Sequence, residues 1–326
     1  MRIDPTLRAL ADPTRLRIMR LLSAMELAVG ELAQVLGQSQ PRVSRHIRIL
    51  CDAGLAERRK EGSWVFLRSA IGAHRAPPLG AAAARLLDVA EADDAAFAAR
   101  CAEDRRHLAA IRAARESSAE TYFARHAAEW DTLRGLHSPD GPVEAALAAA
   151  LGKADLGALL DVGTGTGRMA ELFAPASRHV TAFDKSPEML RIARARLQNL
   201  PAESVSLVQG DFAALPFTDD SFDTVLFHQV LHYAQAPELV LGEAARVTRP
   251  GGTVAIVDFA AHDREELREK HAHARLGFSD EQMLALLSAA GYAAAPPAAL
   301  PGKPLTVKIW TARRAALTPT RKAISA

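Results

Sequence analysis

An apolar run followed by three closely spaced glycines constrains this chain more than any other feature. The segment LGALLDVGTGTGRMAELF (156–173) is typical of a buried strand, a glycine turn and a helix. Gly163, Gly165 and Gly167 have G-x-G-x-G spacing, one residue tighter than the G-x-G-x-x-G turn of dinucleotide-binding folds. Glycine is needed there because the backbone must approach a ligand without interference from a Cβ atom. The helix N-terminus that follows can face an anion such as a carboxylate.

Strand–helix alternation continues after the glycine turn. Residues 178–197 predict another strand and helix, residues 205–217 a third strand and residues 221–233 a fourth. An Arg-Pro-Gly-Gly turn at 249–252 leads into a fifth strand. This rhythm predicts an α/β domain with a doubly wound, Rossmann-like parallel sheet and helices on both of its faces.

Polar residues stand where the predicted strands end. Asp161 directly precedes the glycine turn, where a carboxylate suits the ammonium group of a ligand. Asp184 ends the second strand, and a carboxylate there can accept hydrogen bonds from two ribose hydroxyls. Capping of the following helix is the alternative role for Asp184, and the two roles are compatible. Asp211 follows the third strand and suits an adenine amino group, with Phe212 beside the ring.

The segments DVGTGTG, AFDKS, QGDFAALPF, FDTVLFHQVLHY and RPGG occur in this order across about residues 155–260. Together they resemble class I S-adenosylmethionine (SAM)-dependent methyltransferases of the ubiquinone and menaquinone biosynthesis (UbiE-like) type. The resemblance implies SAM as cofactor and a seven-stranded sheet whose last strand, PLTVKIWTAR (304–313), is antiparallel. It implies a small-molecule methyl acceptor without naming one. The cofactor-binding residues that it implies are Asp161, Gly163, Gly165, Gly167, Asp184, Asp211, Phe212 and His228.

Two histidines follow the fourth strand, at the carboxyl edge where sites of parallel sheets open. Methyl transfer to oxygen or nitrogen needs an in-line nucleophile and a base, and His228 or His232 can serve as that base. Ordinary packing is the alternative for His232. His271 and His273 indicate a substrate-side loop or surface rather than a metal site, because residues two apart diverge on a helix. We predict no metal, and the absence of cysteine after residue 101 argues against arsenite as the acceptor.

The N-terminal quarter has a different pattern, short helices followed by a hairpin. Residues 7–22 predict two helices broken at Asp12-Pro13, residues 31–37 a third helix and residues 41–54 a fourth. Residues 1–75 contain 13 Arg and Lys against 7 Asp and Glu, whereas the remainder contains 27 against 31. A basic quarter on a slightly acidic remainder indicates a polyanionic partner for the first part only.

The fourth of these helices is divided into an apolar face and a basic face. Its apolar face carries Val43, Ile47 and Leu50. The opposite face is basic, as a recognition helix in the major groove of DNA requires. Residues 55–69 alternate about a turn, Lys60-Glu61-Gly62-Ser63, and predict a two-stranded wing whose tip meets phosphates. The basic residues of the two elements are Arg42, Arg45 and His46 on the helix and Arg58, Arg59 and Lys60 on the wing.

The segments ADPTRLRIMRLL and ELAQVLGQSQPRVSRHIRIL, followed by the wing, resemble the ArsR/SmtB family of bacterial winged-helix regulators over about residues 5–70. The family implies a homodimer that reads a two-fold-symmetric double-stranded DNA operator. Thiolate-sensing members carry paired cysteines where this chain has Ala28 and Gly30, and soft metals need thiolates. We therefore expect no arsenite or cadmium sensing at that site. The residues that the resemblance places nearest the bases are Gln38, Ser39, Gln40, Arg42, Arg45 and His46.

Between the two patterns lies an alanine-rich connector with frequent charges. It predicts one or two long helices, and a dimer seam is one role for them. The aromatic cluster YFARHAAEWDTL (122–133) is typical of a lid helix over a cofactor pocket, although ordinary packing explains it equally well. The predicted domains are a winged helix at 1–75, a connector and lid at 76–135, and a SAM-binding domain at 136–326.

Composition and hydropathy indicate the cellular compartment to expect for this chain. No apolar run approaches the roughly 18 residues of a membrane helix, and the N-terminus lacks the apolar region of a signal peptide, so we expect no membrane partner. The two cysteines, Cys51 and Cys101, fit a reducing cytoplasm.

Three functional interpretations stay open on the sequence. The chain is a transcriptional regulator with an active methyltransferase domain, a repressor that senses SAM or S-adenosylhomocysteine without turnover, or a metabolic methyltransferase that uses its first domain to dimerise. The basic recognition helix argues against the third interpretation.

Overall fold

A computed structural model describes six stretches of the chain. They are residues 1–61, 64–71, 77–135, 140–152, 155–302 and 304–315. The chain divides into two compact units, Met1–Ser118 and Ala119–Ala326. No helix within these stretches is long and apolar enough to span a membrane. The domain limits proposed from the sequence stay predictions.

The first unit contains the expected short helices and hairpin. Asp12 caps the second helix by accepting a hydrogen bond from the Arg15 N–H at 3.0 Å, and Pro13 begins that helix. Gly37 ends the third helix in the left-handed conformation. The elements are α1 (Ile3–Leu10), α2 (Pro13–Ala24), β1 (Leu27–Ala28), α3 (Val29–Leu36), α4 (Gln40–Asp52), β2 (Ala56–Glu61), β3 (Trp64–Ser69), α5 (Pro78–Asp93) and α6 (Ala95–His126).

The apolar face of α4 is buried, as its periodicity predicts. Val43, Ile47 and Leu50 are each no more than 1% exposed and belong to one core with α2 and α3. β2 and β3 form an antiparallel ladder, and β1 pairs with the other edge of β3. The predicted wing turn at Gly62 and Ser63 lies outside the described residues.

The connector forms two helices, α5 and α6, within the range of the prediction. Ala83 and Leu87 of α5 and Leu108 of α6 join the core of the first unit. The guanidinium of Arg17, on α2, donates two hydrogen bonds of 2.7 and 2.5 Å to Asp104 of α6, whose side chain is 1% exposed. The first part of the connector is therefore part of the first unit's core rather than a linker.

The second unit is a mixed sheet with helices packed against it. Short 3-10 helices at Ala127–Glu129, Ala174–Ala176 and Leu231–Tyr233 link its longer elements. Those elements are α7 (Trp130–Gly135), α8 (Asp140–Leu151), β4 (Ala158–Val162), α9 (Arg168–Phe173), β5 (His179–Asp184), α10 (Pro187–Leu197), β6 (Val205–Gln209), β7 (Phe222–His228), α11 (Pro237–Val247), β8 (Thr248–Phe259), α12 (Glu266–His271), α13 (Asp280–Ala289), β9 (Tyr292–Ala294), β10 (Ala298–Leu300) and β11 (Val307–Arg314).

The strand order is β10-β11-β8-β7-β4-β5-β6, with β9 also paired to β11. The five strands from β6 to β8 are parallel, and β11 is antiparallel to β8, as predicted. The sheet has eight strands in seven positions rather than seven strands, since β9 and β10 pair with opposite ends of β11. Pro296 and Pro297 interrupt what would otherwise be one edge strand, because proline has no N–H to donate.

Removal of the Arg17 guanidinium should weaken the first unit. Arg17→Ala leaves the buried Asp104 carboxylate without its partner, which should lower the opening free energy of α2 by about 2–4 kcal/mol. Native-state hydrogen exchange of the α2 amides in the full chain measures this energy. The control is Arg8→Ala, whose ion pair with Asp4 is 80% and 67% exposed and should contribute less than about 0.5 kcal/mol. Equal effects of the two substitutions would contradict the assignment.

Candidate functional site

The glycine turn after β4 is fastened to the end of β5. The N–H groups of Gly163 and Thr164 donate to the carbonyl oxygen of Phe183 at 2.8 and 2.9 Å. Gly163 has φ +70°, and a Cβ atom there would lie 2.3 Å from a methyl carbon of Val230. A residue other than glycine would therefore move the turn away from the neighbouring strands.

Asp161 lies beneath this turn with one carboxylate oxygen unpaired. Its side chain is 1% exposed, and Oδ2 accepts a hydrogen bond of 2.6 Å from the Thr164 hydroxyl. Oδ1 has no hydrogen-bond partner among the described residues. Burial raises the pKa of Asp161 to about 7. A cationic donor bound at the turn would satisfy Oδ1 and favour the ionised carboxylate.

Asp184 sits opposite, at the end of β5. Its Oδ2 accepts from the Gly165 N–H at 2.8 Å and its Oδ1 from the Ser186 N–H at 2.9 Å. Burial raises the pKa of Asp184. The cap of α10 is Ser186, whose hydroxyl accepts from the Met189 N–H. Asp184 thus orders the turn before that helix, and each of its oxygens keeps acceptor capacity for a ligand.

Asp211 and Phe212 follow β6 at the same edge of the sheet. Asp211 Oδ2 lies 3.0 Å from Lys185 Nζ, which also lies 2.8 Å from Glu120. Phe212 packs against the core with its ring partly exposed. The sequence-predicted residues around the glycine turn are therefore grouped at the carboxyl ends of β4, β5 and β6.

His232 forms a buried pair with Asp258, a residue that the sequence analysis missed. Its Nδ1 lies 2.7 Å from Asp258 Oδ1, and its backbone N–H donates to Oδ2 of the same carboxylate at 3.1 Å. The two side chains are 2% and 0% exposed. His232 Nε2 has no hydrogen-bond partner among the described residues. An acid at the end of the otherwise apolar strand TVAIVDF was the available signal.

His228 ends β7 in a more enclosed position. Its ring is buried, and burial lowers its pKa to about 4, so the imidazole is neutral near pH 7. Its Nε2 also has no partner among the described residues. Both predicted histidines therefore present an unpaired ring nitrogen at the carboxyl edge of the sheet.

An aromatic cluster covers this edge. The ring of Phe123 packs edge-on against Trp130 and Tyr233, with centroids 5.3 and 4.8 Å apart. Asp131 accepts from the hydroxyl of Thr166 in the glycine turn at 2.7 Å and also pairs with Arg196. The predicted lid segment is thus bonded to the glycine turn through Asp131, a contact that the sequence analysis did not predict.

A cavity of about 20 Å³ lies between this cluster and the histidines. Within the described part of the chain, ten residues line it, of which seven carry aromatic or imidazole rings and none is Asp or Glu. His232 is one of them, and His228 lies outside the lining. The Tyr122 hydroxyl bonds to Nδ1 of His271 at 2.9 Å, and the carbonyl of His232 accepts from the N–H groups of Ala274 and Arg275. The His-Ala-His segment therefore belongs to this site, as a substrate-side loop would.

On the first unit, the predicted base-reading residues occupy one end of α4. Ser39, Gln40, Arg42 and Arg45 are exposed. Gln38 is half-buried, and its amide donates to the Thr14 hydroxyl at 3.4 Å. The His46 side chain is only 15% exposed and lies 3.6 Å from Asp12.

The three residues predicted to contact DNA phosphates differ in exposure and in their partners. Arg58 and Lys60 are exposed on β2. Arg59 forms two hydrogen bonds of 3.0 and 3.2 Å with Glu26, and its guanidinium lies 5.1 Å from the centre of the Phe66 ring. Arg59 therefore holds the wing to the unit in this structure, while its two neighbours face solvent.

Comparisons with known proteins agree with this division. A family model described as bacterial regulatory protein, arsR family, matches residues 12–58, and one described as a methyltransferase domain matches residues 160–256. The chain carries an arsR-type helix–turn–helix segment and a methyltransferase domain. The resemblances inferred from the sequence are therefore confirmed.

The similar curated proteins include two methyltransferases. Demethylmenaquinone methyltransferase of Renibacterium salmoninarum is 37% identical over 102 residues, which is 31% of this chain and 41% of that protein. Phosphatidylethanolamine N-methyltransferase of Cereibacter sphaeroides is 40% identical over 112 residues, which is 34% of this chain and 55% of that protein. The chain thus spans about half the length of these relatives.

Solved structures share the fold of the second unit. N-methyltransferase NodS from Bradyrhizobium japonicum, in complex with S-adenosyl-L-homocysteine, has a TM-score of 0.51 at 18% identity, covering 60% of this chain and 98% of that one. A methyltransferase from Haloferax volcanii, in complex with its activator, has a TM-score of 0.50 at 21% identity, covering 59% and 97%. The predicted α/β methyltransferase fold is confirmed.

The buried Asp161 should make stability depend on pH. Its pKa of about 7 lies above the ordinary 3.8, so between these values the ligand-free folded state holds a proton that the unfolded chain has lost. Its contribution to stability therefore falls as pH rises from about 4 to about 7. Asp161→Asn cannot ionise, so the stability of this variant relative to wild type should rise over that range by a few kcal/mol and then level off. Thermal unfolding between pH 4 and 8 measures the difference, and a constant difference would contradict the assignment.

Proposed function

We propose that this chain is a DNA-binding transcriptional regulator whose second unit binds SAM and methylates a small molecule. The observation that carries the catalytic part is the buried His232–Asp258 pair, whose Nε2 has no partner among the described residues and which lies at the carboxyl edge of the sheet. A repressor that only senses SAM or S-adenosylhomocysteine would not need such a pair. Sensing without turnover is the alternative that the experiments below separate.

The residues around the glycine turn fit SAM. The unpaired Asp161 Oδ1 suits the ammonium group of its methionine part, and the Asp184 oxygens suit the ribose hydroxyls. Glycine at 163 and 165 lets the cofactor approach the backbone, and Trp130 lies 3.5 Å from where a Cβ of Gly165 would be. Asp211 and Phe212 are assigned to the adenine.

The bound cofactor supplies an electrophilic methyl group on a sulfonium. The protein orients the acceptor, excludes water and takes up the acceptor's proton. His232 carries the last role, because it lines the cavity and Asp258 holds its Nδ1 side. The covering cluster of Phe123, Trp130 and Tyr233 supports the exclusion of water.

The first unit is assigned to DNA. Arg42 and Arg45 are exposed on the helix whose opposite face is buried, and Arg58 and Lys60 extend the basic surface along β2. This arrangement suits α4 in the major groove and β2 at the phosphate backbone. Such a role places the protein in a compartment that contains DNA, and its two free cysteines fit a reducing cytoplasm.

We further propose a homodimer on a two-fold-symmetric operator. Ile3 and Leu7 on α1 are 57% and 53% exposed, and Leu86 and Val89 on α5 are 50% and 48% exposed. Large apolar side chains at helical spacing on two helices favour burial against a second copy.

The cofactor assignment predicts a specific loss in Asp184→Ala. Removing a carboxylate that bonds to hydroxyls should weaken SAM binding about 10- to 100-fold. Isothermal titration calorimetry of the full chain measures the dissociation constant. Glu203→Ala, which removes an exposed carboxylate before β6, is the charge-matched control and should bind as wild type. Unchanged affinity in Asp184→Ala would show that the ribose assignment is wrong.

The DNA assignment predicts that the wild-type chain enriches a palindromic duplex from a random pool. Arg45→Ala should then weaken binding about 5- to 100-fold, because one base-contacting arginine contributes about 1–3 kcal/mol. Arg106→Ala removes an exposed arginine of α6 and controls for net charge. Equal losses of DNA affinity in the two variants would show that only net charge matters. Absence of DNA binding by the wild type at any salt concentration would contradict the regulatory proposal.

Coupling between cofactor binding and DNA binding is tested on the same duplex. The dissociation constant for DNA is measured with SAM, with S-adenosylhomocysteine and with neither, and a ligand-dependent shift is expected. Identical constants in all three conditions would contradict regulation by the cofactor. Production of S-adenosylhomocysteine in the presence of acceptors separates turnover from pure sensing.

A further inference from the structure

Resting on the proposed methyl transfer, we propose that the acceptor is a neutral planar aromatic compound methylated at an acidic, phenol-type hydroxyl. His232 is the base, and Asp258 is the residue that positions it. Three observations support this assignment. They are the wall of the cavity, the charges around it and the geometry of the His232–Asp258 pair.

The cavity wall selects the shape of the acceptor. Seven of its ten lining residues carry flat rings. The His232 ring lies 4.1 Å from the Tyr233 ring, 4.2 Å from the His273 ring and 5.1 Å from the Phe259 ring, measured between centroids. Surfaces of this kind pack best on another flat ring.

Charge selects a neutral acceptor. An amine that is cationic at neutral pH needs a carboxylate, and no Asp or Glu is among the described residues that line the cavity. A carboxylate acceptor needs an available cation, but the guanidinium of Arg134 is already 2.9 Å from Asp140 and 3.8 Å from Asp131. Neither kind of ion would be compensated on entering.

The His232–Asp258 pair selects the acidity of the hydroxyl. Asp258 fixes the ring with Nδ1 toward the carboxylate, so that Nε2 is the acceptor nitrogen. An imidazole can take a proton from a phenol, whose pKa is about 10, far more readily than from an aliphatic alcohol, whose pKa is near that of water at about 16. An aromatic hydroxyl therefore matches this base.

The proposed methyl transfer needs no reactant other than the acceptor and the cofactor. The hydroxyl proton passes to His232 Nε2, and the oxygen's electron pair forms the new bond to the methyl carbon. The carbon–sulfur bond breaks with its electron pair left on sulfur, giving a methyl ether and the neutral thioether. Asp258 stabilises the imidazolium until it releases the proton to solvent.

Entry requires the wall to move. The cavity of about 20 Å³ has room for little more than one water molecule. Tyr122, Trp130 and Leu133 form the wall contributed by the lid segment, so displacement of that segment would open the site to a ring.

The first test measures the ionisation of a bound phenol rather than methyl transfer. 4-Nitrophenol is added to the full chain loaded with S-adenosylhomocysteine, and its absorbance reports the phenolate fraction. We expect binding with a phenolate fraction higher than in buffer at the same pH. His232→Gln should bind the probe without raising that fraction, and Asp258→Asn should raise it less. His179→Gln, at the opposite end of β5, is the matched control and should behave as wild type. Binding without increased ionisation in the wild type would overturn the proposal.

The second test separates a base from a packing residue. With SAM, His232→Gln should lower kcat about 100-fold or more for phenol but far less for 4-nitrophenol, because transfer from a more acidic hydroxyl depends less on a base. Asp258→Asn should lower kcat with little change in KM. Circular dichroism checks that the variants fold. If Asp258→Asn does not fold, the comparison of wild type with His232→Gln is sufficient. Equal loss on both acceptors would show that His232 only packs.

The outcomes also separate this inference from the function beneath it. A chain that binds SAM and methylates an amine or a thiol, but no phenol, overturns the acceptor assignment and leaves the methyltransferase function standing. A chain that binds no SAM overturns both.

Discussion

Three hydrogen bonds donated by backbone N–H groups hold the glycine turn in place. The carbonyl of Phe183 accepts from Gly163 and Thr164, and the carboxylate of Asp184 accepts from Gly165. These bonds tie the turn after β4, which follows Asp161 directly, to the end of β5, where Asp184 lies. Gly167 then ends the turn in a left-handed conformation against α10, and α9 begins after it.

Much of this arrangement was predictable, because its causes are local in sequence. Glycine spacing, apolar runs of strand length and acids at strand ends predicted the parallel sheet and the residues that meet at its carboxyl edge. Asp258 and Asp131 were missed because their importance lies in partners that are distant along the chain, His232 and the pair Thr166 and Arg196. Only the folded sheet shows which of many acids meets a buried histidine.

The same limit applies to the first unit. Helical periodicity predicted which face of α4 is buried, and that face is buried. It could not show that Arg59 pairs with Glu26 or that His46 turns toward Asp12, because several acids were available to each. Nor could periodicity show what α5 and α6 pack against. The bonds of Arg17 to Asp104 join residues 87 positions apart, and alanine-rich helices carry little information about their neighbours.

The carbonyl of His232 accepts from the backbone N–H groups of Ala274 and Arg275, and the centre of the His273 ring lies 4.2 Å from that of the His232 ring. The loop proposed to face the acceptor is thus bonded to the residue proposed as the base. Under these roles, a substitution in this loop would also act on the position of the imidazole, so selectivity and reactivity would change together. Descendants of this chain would acquire a new acceptor through paired changes at both ends of that contact, and single changes would trade rate for breadth.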